Sequence, residues 1–141
     1  MAALSLSPRR NQLGLYFRTL QDGYFQTEHV VAFLRDLLYH FRGRIIVVWD
    51  GWKVHDAAAK LVRSPRLETV SLPGYAPDLN PVEHIWNRLK WSYLANAAPA
   101  DSTELHHQLR PLLLQTARSL PQLISFWKGA KLPLHQLKLK R

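Results

Sequence analysis

Ile45-Ile46-Val47-Val48-Trp49-Asp50, read together with Pro77-Asp78-Leu79-Asn80-Pro81-Val82-Glu83 downstream, decides the fold of this chain. Five apolar residues rich in β-branched side chains, set between Gly43-Arg44 and Asp50-Gly51, have the composition of a strand buried on both faces. Asp50 then falls at the strand's carboxyl end. In open α/β sheets ligands and catalytic groups collect there, because the following loop opens a crevice. The downstream stretch reads as a helix start. Asn80 suits the cap, and Pro81 suits the first helical position, where its missing N–H costs nothing. Val82, Trp86, Leu89 and Tyr93 recur at helical spacing. Glu83 is thereby placed in the first turn, on a face with Asn87 and Lys90 and away from the apolar stripe. Two carboxylates on rigid supports suit a hard divalent cation, since Mg²⁺ is typically held by one or two carboxylates plus phosphate oxygens.

Working outward, Ala2 to Ser7 and Leu13 to Leu20 form a hairpin pattern, expected at the antiparallel edge of a mixed sheet. Thr27 is the expected cap of a helix whose stripe Val30, Val31, Leu34, Leu37, Leu38 and Phe41 ends at Gly43. Arg35, Arg42 and Arg44 read as solvated charges. After Asp50 a loop through Asp56 leads into a short Ala-rich helix, stopped by Ser64-Pro65. Leu67 to Leu72 alternates like a second, more exposed strand, and the strand–helix–strand order argues for parallel pairing. The Pro81 helix is expected to reach about Ala95, with Pro99 beyond it. Asp101 and Glu104 open a further helix as a capping-box pair, and Pro111 predicts a kink in it. Leu120-Pro121 starts a last helical turn with Leu123, Ile124, Phe126 and Trp127. The segment 133–141 is basic with isolated leucines, either an arm that follows a DNA backbone or an untidy terminus.

The 141 residues fit one domain of ordinary size, and 47% hydrophobic content is that of a globular chain. A formal charge of +9 and a pI near 10.3 suit a polyanionic partner, although charge also serves solubility. The absence of cysteine excludes disulfides and thiolate metal sites. No apolar run approaches the roughly 18 residues of a membrane span, and Met1 to Arg10 lacks the apolar core of a signal peptide. The expectation is a cytoplasmic protein without membrane association.

The motif residues Val48-Trp49-Asp50-Gly51 with His55, and Leu72-Pro73-Gly74-Tyr75-Ala76-Pro77-Asp78-Leu79-Asn80-Pro81-Val82-Glu83 with Trp86 and Leu89-Lys90, resemble the second half of the catalytic domain of mariner-related bacterial insertion-sequence transposases of the DDE superfamily. The likeness runs from about Leu4 to Leu132 and implies a ribonuclease H-like fold: a mixed α/β sheet with helices on both faces, over residues 1–132. By the resemblance Asp50 matches the second acidic residue of the triad and Glu83 the third. Gly51 stands where Asn is frequent in the family. No residue matches the first acidic position: Asp22 precedes Gly23 in a turn pattern and Asp36 sits within a helical one. The opening strand that should carry it is expected to be missing, so the domain reads as truncated at its N-terminus.

The resemblance implies DNA strand cleavage and transfer by two Mg²⁺ or Mn²⁺ ions in the complete domain, with DNA at the transposon ends as partner. It also raises an upstream transposase reading-frame product and a homodimer as partners, and a bacterial, nucleoid-associated location when DNA-bound. A chain supplying two of three acidic ligands is expected not to cut or join DNA alone. Two other readings stand beside this one: an inactive remnant, and a non-enzymatic basic module that binds DNA or another subunit. Each motif also has a structural reading, Asp50-Gly51 as a turn and Glu83 with Asn80 as a helix cap. His55 either contacts a phosphate, orients a carboxylate or is a plain loop histidine. Lys53, Asn87 and Lys90 are candidate DNA contacts with His55, and Tyr75 is a candidate for stacking on a base. Trp49, Trp86, Trp91 and Tyr93 read mostly as core.

Overall fold

Strands form where apolar residues alternate or run consecutively, and helices where the apolar spacing lengthens to three and four. A computed structural model describes residues 1–7 and 12–133 of the chain. In order they form β1 (Ala2–Ser7), β2 (Gln12–Phe17), α1 (Thr27–His40), β3 (Ile45–Trp49), α2 (Lys53–Leu61) and β4 (Leu67–Ser71). A short 3₁₀ turn at Pro77–Leu79 leads to α3 (Pro81–Arg88), which passes directly into a π-helical segment at Leu89–Leu94. α4 (Ser102–Arg118) and α5 (Leu120–Gly129) follow. These elements make a mixed α/β fold of helices and small strands. Apart from Pro133, the basic tail lies outside the described residues.

Two compact units divide the chain: Met1–Gly23 with everything from Pro81 onward, and Tyr24–Asn80. In the first, β1 and β2 pair antiparallel, with Leu4 opposite Leu15. Its core gathers Leu15, Ile85, Leu89, Leu113, Leu123 and Phe126, with Trp86 and Tyr93 packed around them. The buried line of α3 is therefore centred on Ile85, fully buried, and Leu89 one turn on. Two residues from Ile85 is more than half a turn, so Glu83 leaves the helix away from that core and is half-buried. The helix starts as its sequence suggests at α4, where Asp101 Oδ1 accepts the Glu104 N–H at 2.8 Å. The Glu104 carboxylate reaches back to the Ala100 N–H, also at 2.8 Å. Pro111 sits inside α4, which continues through it to Arg118.

In the Tyr24–Asn80 unit, β3 and β4 pair parallel, Val48 opposite Val70. Val30, Val31, Phe33, Leu34 and Leu37 of α1 are buried, as are Trp49, Ala58 and Val62. The cap of α1 is Gln26 rather than Thr27: the Gln26 N–H donates to His29 Nδ1 at 3.0 Å, a ring nitrogen taking the place usually held by a Glu or Gln oxygen. The helix ends at His40, short of Gly43, and its last carbonyls are taken up by a side chain from β4's approach. Arg66 donates through Nη1 to the Phe41 carbonyl at 2.7 Å and through Nη2 to the Leu38 carbonyl at 2.8 Å.

Two expectations need correction. The strand Ile45–Trp49 is not buried on both faces: Ile46 and Val48 are exposed, and the register places exposed Val70 beside Val48 on that same open face. Composition identifies a strand but does not count the layers that cover it. Nor do the strands make one mixed sheet. Among the described residues the antiparallel and the parallel pair are two separate two-stranded sheets. Each pair is set by its own short connection, a hairpin or a βαβ crossover, and no local signal specified bonding between them.

Candidate active site

Asp50 follows the last residue of β3, and its carboxylate is already engaged. Oδ1 accepts the Trp52 backbone N–H at 3.1 Å and faces His55 Nδ1 at 3.0 Å. The first contact closes an Asx-type turn over Gly51, after which Trp52 caps and Lys53 begins α2. Lys53 to Asp56 is therefore the first turn of a helix, not a loop. That puts His55 one turn along the chain from Trp52, to whose carbonyl its own N–H donates at 2.8 Å.

The His55 ring is fixed from two sides. It stacks on Trp49, centroids 4.7 Å apart and planes within 11°, and meets the edge of Trp52 at 5.2 Å. Trp49 is buried, as expected, and so provides a firm floor. The His55 side chain is 16% exposed against 56% for Asp50. An ionised carboxylate only accepts hydrogen bonds, so His55 donates to it only in the form that carries a proton on Nδ1. The Asp50 main-chain oxygen lies 3.4 Å from the same nitrogen. Oδ2 takes part in none of these contacts.

The other candidates are placed individually. Lys53 is exposed at the start of α2. Tyr75 is fully exposed in the loop before Pro77, with a left-handed backbone at φ 58. Asn87 and Lys90 are both exposed along α3 and its π-helical continuation. His84 turns inward, its ring 3.5 Å from where a Cβ on Gly129 would lie. Asp50, Lys53, His55 and Tyr75 belong to the Tyr24–Asn80 unit, and Glu83, Asn87 and Lys90 to the other. Among the described residues no three His, Asp or Glu side chains form a cluster able to hold a metal ion.

Two aromatic residues depart from the sequence reading. Trp91, expected in the core, is 70% exposed, with Lys90 Nζ 5.4 Å from its ring centroid. Trp52, without a role in the sequence reading, supplies both an N–H and a ring edge to the Asp50–His55 pair. The spacing of Trp49, Trp52 and His55, each three apart across a strand-to-helix turn, was the available signal.

Residues 6–106 match the family described as DDE superfamily endonuclease. The chain belongs to that family. Asp50, His55 and Glu83 all lie within the matched stretch. DDE superfamily endonucleases act on DNA and generally use divalent metal ions. No match was found among curated proteins or among solved structures. No helix among the described residues is long and apolar enough to cross a membrane.

Proposed function

We propose that residues 1–132 of this chain are catalytic-domain sequence of a mariner-related insertion-sequence transposase on a ribonuclease H-like fold. Asp50 and Glu83 are its second and third acidic residues. Mg²⁺ or Mn²⁺ is the metal. The donor chemistry fits a hard cation: Asp50 is half-exposed at a strand end, offers an uncommitted carboxylate oxygen, and has no sulfur ligand near it. Bound ions supply the Lewis acidity for in-line displacement at phosphorus.

The residues of this chain do the positioning. Asp50 presents Oδ2 from a carboxylate whose other oxygen is anchored to Trp52 and His55. Glu83 presents its carboxylate from a helix whose opposite side is locked into the core by Ile85 and Leu89. Lys53, Asn87 and Lys90 offer donors to a DNA backbone, and the net charge of +9 draws that backbone in. Tyr75 offers an open ring for an unpaired base.

The observation that carries this reading is the pre-set Asp50 carboxylate, held before any ligand arrives. Mn²⁺ added to isotopically labelled chain tests it. Selective broadening of amide signals around Asp50, lost in Asp50→Asn, and around Glu83, lost in Glu83→Gln, is the expected result. Broadening that ignores both substitutions would overturn it. A non-enzymatic DNA-binding module is the reading favoured by the charge alone. It predicts salt-dependent DNA binding that is equally strong in Asp50→Ala and Glu83→Ala and indifferent to Mn²⁺.

A further inference from the structure

The Asp50 carboxylate has two oxygens in different situations. Oδ1 accepts the Trp52 N–H at 3.1 Å and lies 3.0 Å from His55 Nδ1, while Oδ2 is left out of both contacts. The histidine is not a swinging side chain. His55 lies flat on buried Trp49, has the edge of Trp52 against it, and is itself mostly covered. A cation approaching Oδ1 would meet the Trp52 N–H and the edge of the His55 ring, whose Nδ1 also lies 3.4 Å from the Asp50 main-chain oxygen. Oδ2 is the oxygen that neither of them crowds.

One-oxygen binding is a choice among metals. Mg²⁺ and Mn²⁺ sit in octahedra of single oxygen ligands, and Mg²⁺ tolerates little departure from that geometry. Ca²⁺ is larger, takes more ligands and accepts a carboxylate through both oxygens. Resting on the assignment of Asp50 as a metal ligand, we infer that His55 is a positioning residue. It keeps Asp50 a one-oxygen ligand and so favours Mg²⁺ and Mn²⁺ over Ca²⁺. Trp49 and Trp52 are the clamp that holds it in that position. His55 touches neither metal nor substrate in this role.

Two substitutions separate the donor from the ring. In Asn the amide nitrogen leaves the γ carbon as Nδ1 does in histidine, so His55→Asn keeps a donor on Oδ1 and loses the stacked ring. His55→Phe keeps the ring between the tryptophans and loses the donor. Near-ultraviolet circular dichroism, which reads the packing of Trp49 and Trp52, shows that each variant is folded. Mn²⁺ broadening at residues 50–55 is then displaced by Mg²⁺ and, separately, by Ca²⁺. Loss of a hydrogen-bond partner behind a ligand changes metal affinity by about tenfold or more. The ratio of Ca²⁺ to Mg²⁺ needed for displacement is therefore expected to fall about tenfold in His55→Phe and to stay within about twofold of wild type in His55→Asn. A folded His55→Phe with the wild-type ratio overturns the inference, as does a His55→Asn that behaves like His55→Phe.

Nitrogen-15 spectra of the His55 ring in the metal-free chain give a reading independent of metal. The Nδ1–H form is expected, and the Nε2–H form would overturn the positioning role while leaving Asp50 free to bind metal. Broadening at Asp50 that is absent, or unchanged in Asp50→Asn, would instead overturn the metal assignment and the metal preference with it.

Discussion

Replacing Arg66 with methionine removes the cap from the C-terminal end of α1 while keeping most of the side chain's apolar stem. The loss follows from two bonds, Nη1 to the Phe41 carbonyl at 2.7 Å and Nη2 to the Leu38 carbonyl at 2.8 Å. A hydrogen bond with a charged partner contributes about 1.5–3 kcal/mol. Here two such bonds share one side chain, whose ordering costs about 2 kcal/mol, and partial burial lets water replace the lost donor. The expected net loss is about 2 kcal/mol. Lysine reaches one carbonyl at a time and should recover about half of it. Amide hydrogen exchange along α1 is the assay, because it reads this unit rather than the whole chain. A loss of about 2 kcal/mol speeds exchange of its most protected amides about 30-fold. Exposed Arg63, changed to methionine as a control, should move them by less than about 0.5 kcal/mol. Exchange unchanged in Arg66→Met, or the same in lysine and methionine variants, would refute the capping account.

Asp101→Ala should destabilise the unit containing α4 by about 1 kcal/mol, read by urea unfolding, since the Glu104 N–H loses its acceptor. Tyr75→Ala should leave stability within about 0.5 kcal/mol, because the ring is fully exposed. It should also weaken single-stranded DNA binding by about 1–3 kcal/mol in fluorescence anisotropy, and equal affinity would remove Tyr75 from the DNA surface. The Met1 amine, partly buried and donating to the Arg18 carbonyl at 2.9 Å, has its pKa lowered from 8.0 to about 6 by desolvation. Between those values the unfolded chain holds the extra proton, so stability rises with pH from about 6 to 8 and is weaker below that window. Acetylating the amine should flatten that part of the profile.

What could be seen in the sequence was what short-range chemistry decides. Asp101 and Glu104 announced the start of α4 because a cap is a matter of three residues. The parallel pairing of β3 and β4 followed from the strand–helix–strand order. Arg66 gave no such sign, since its acceptors lie more than twenty residues back and only the fold brings them to it. The exposure of Ile46 and Val48 was hidden for a related reason: periodicity tells which side chains share a face but not whether anything covers it. At Leu89–Leu94 the helical spacing of Leu89 and Tyr93 suits an ordinary helix, and a π-helical turn differs by only one residue per turn. Reading Trp91 as core overlooks that two positions from buried Leu89 lies the far side of the helix. The position of Asp50 after a strand and of Glu83 in the first turn of a helix was legible from the apolar run and the Asn80-Pro81 start. The cage around His55 was not, because stacking depends on where a turn points a ring.

A turn residue and a metal ligand are rival readings of Asp50 in the sequence, and the geometry shows how one carboxylate could serve both. Oδ1 has the structural role. It closes the turn that ends β3 and, through the Trp52 N–H, sets the start of α2. Setting that start brings His55 round to the same oxygen, so the turn and the histidine contact reinforce one another. Because both demands fall on one oxygen, the other remains free without any cost to the fold. A carboxylate fixed by its structural duty is oriented before a ligand arrives, and the ordering that a ligand would otherwise impose has been met during folding. The same reasoning explains why Asn is not an equivalent substitute at position 50. It would keep an acceptor for Trp52 and His55 and hold the turn, yet present a neutral amide where an anionic oxygen is needed. A folded Asp50→Asn chain that has lost metal binding is thus the expected signature of a residue whose two oxygens have separate roles.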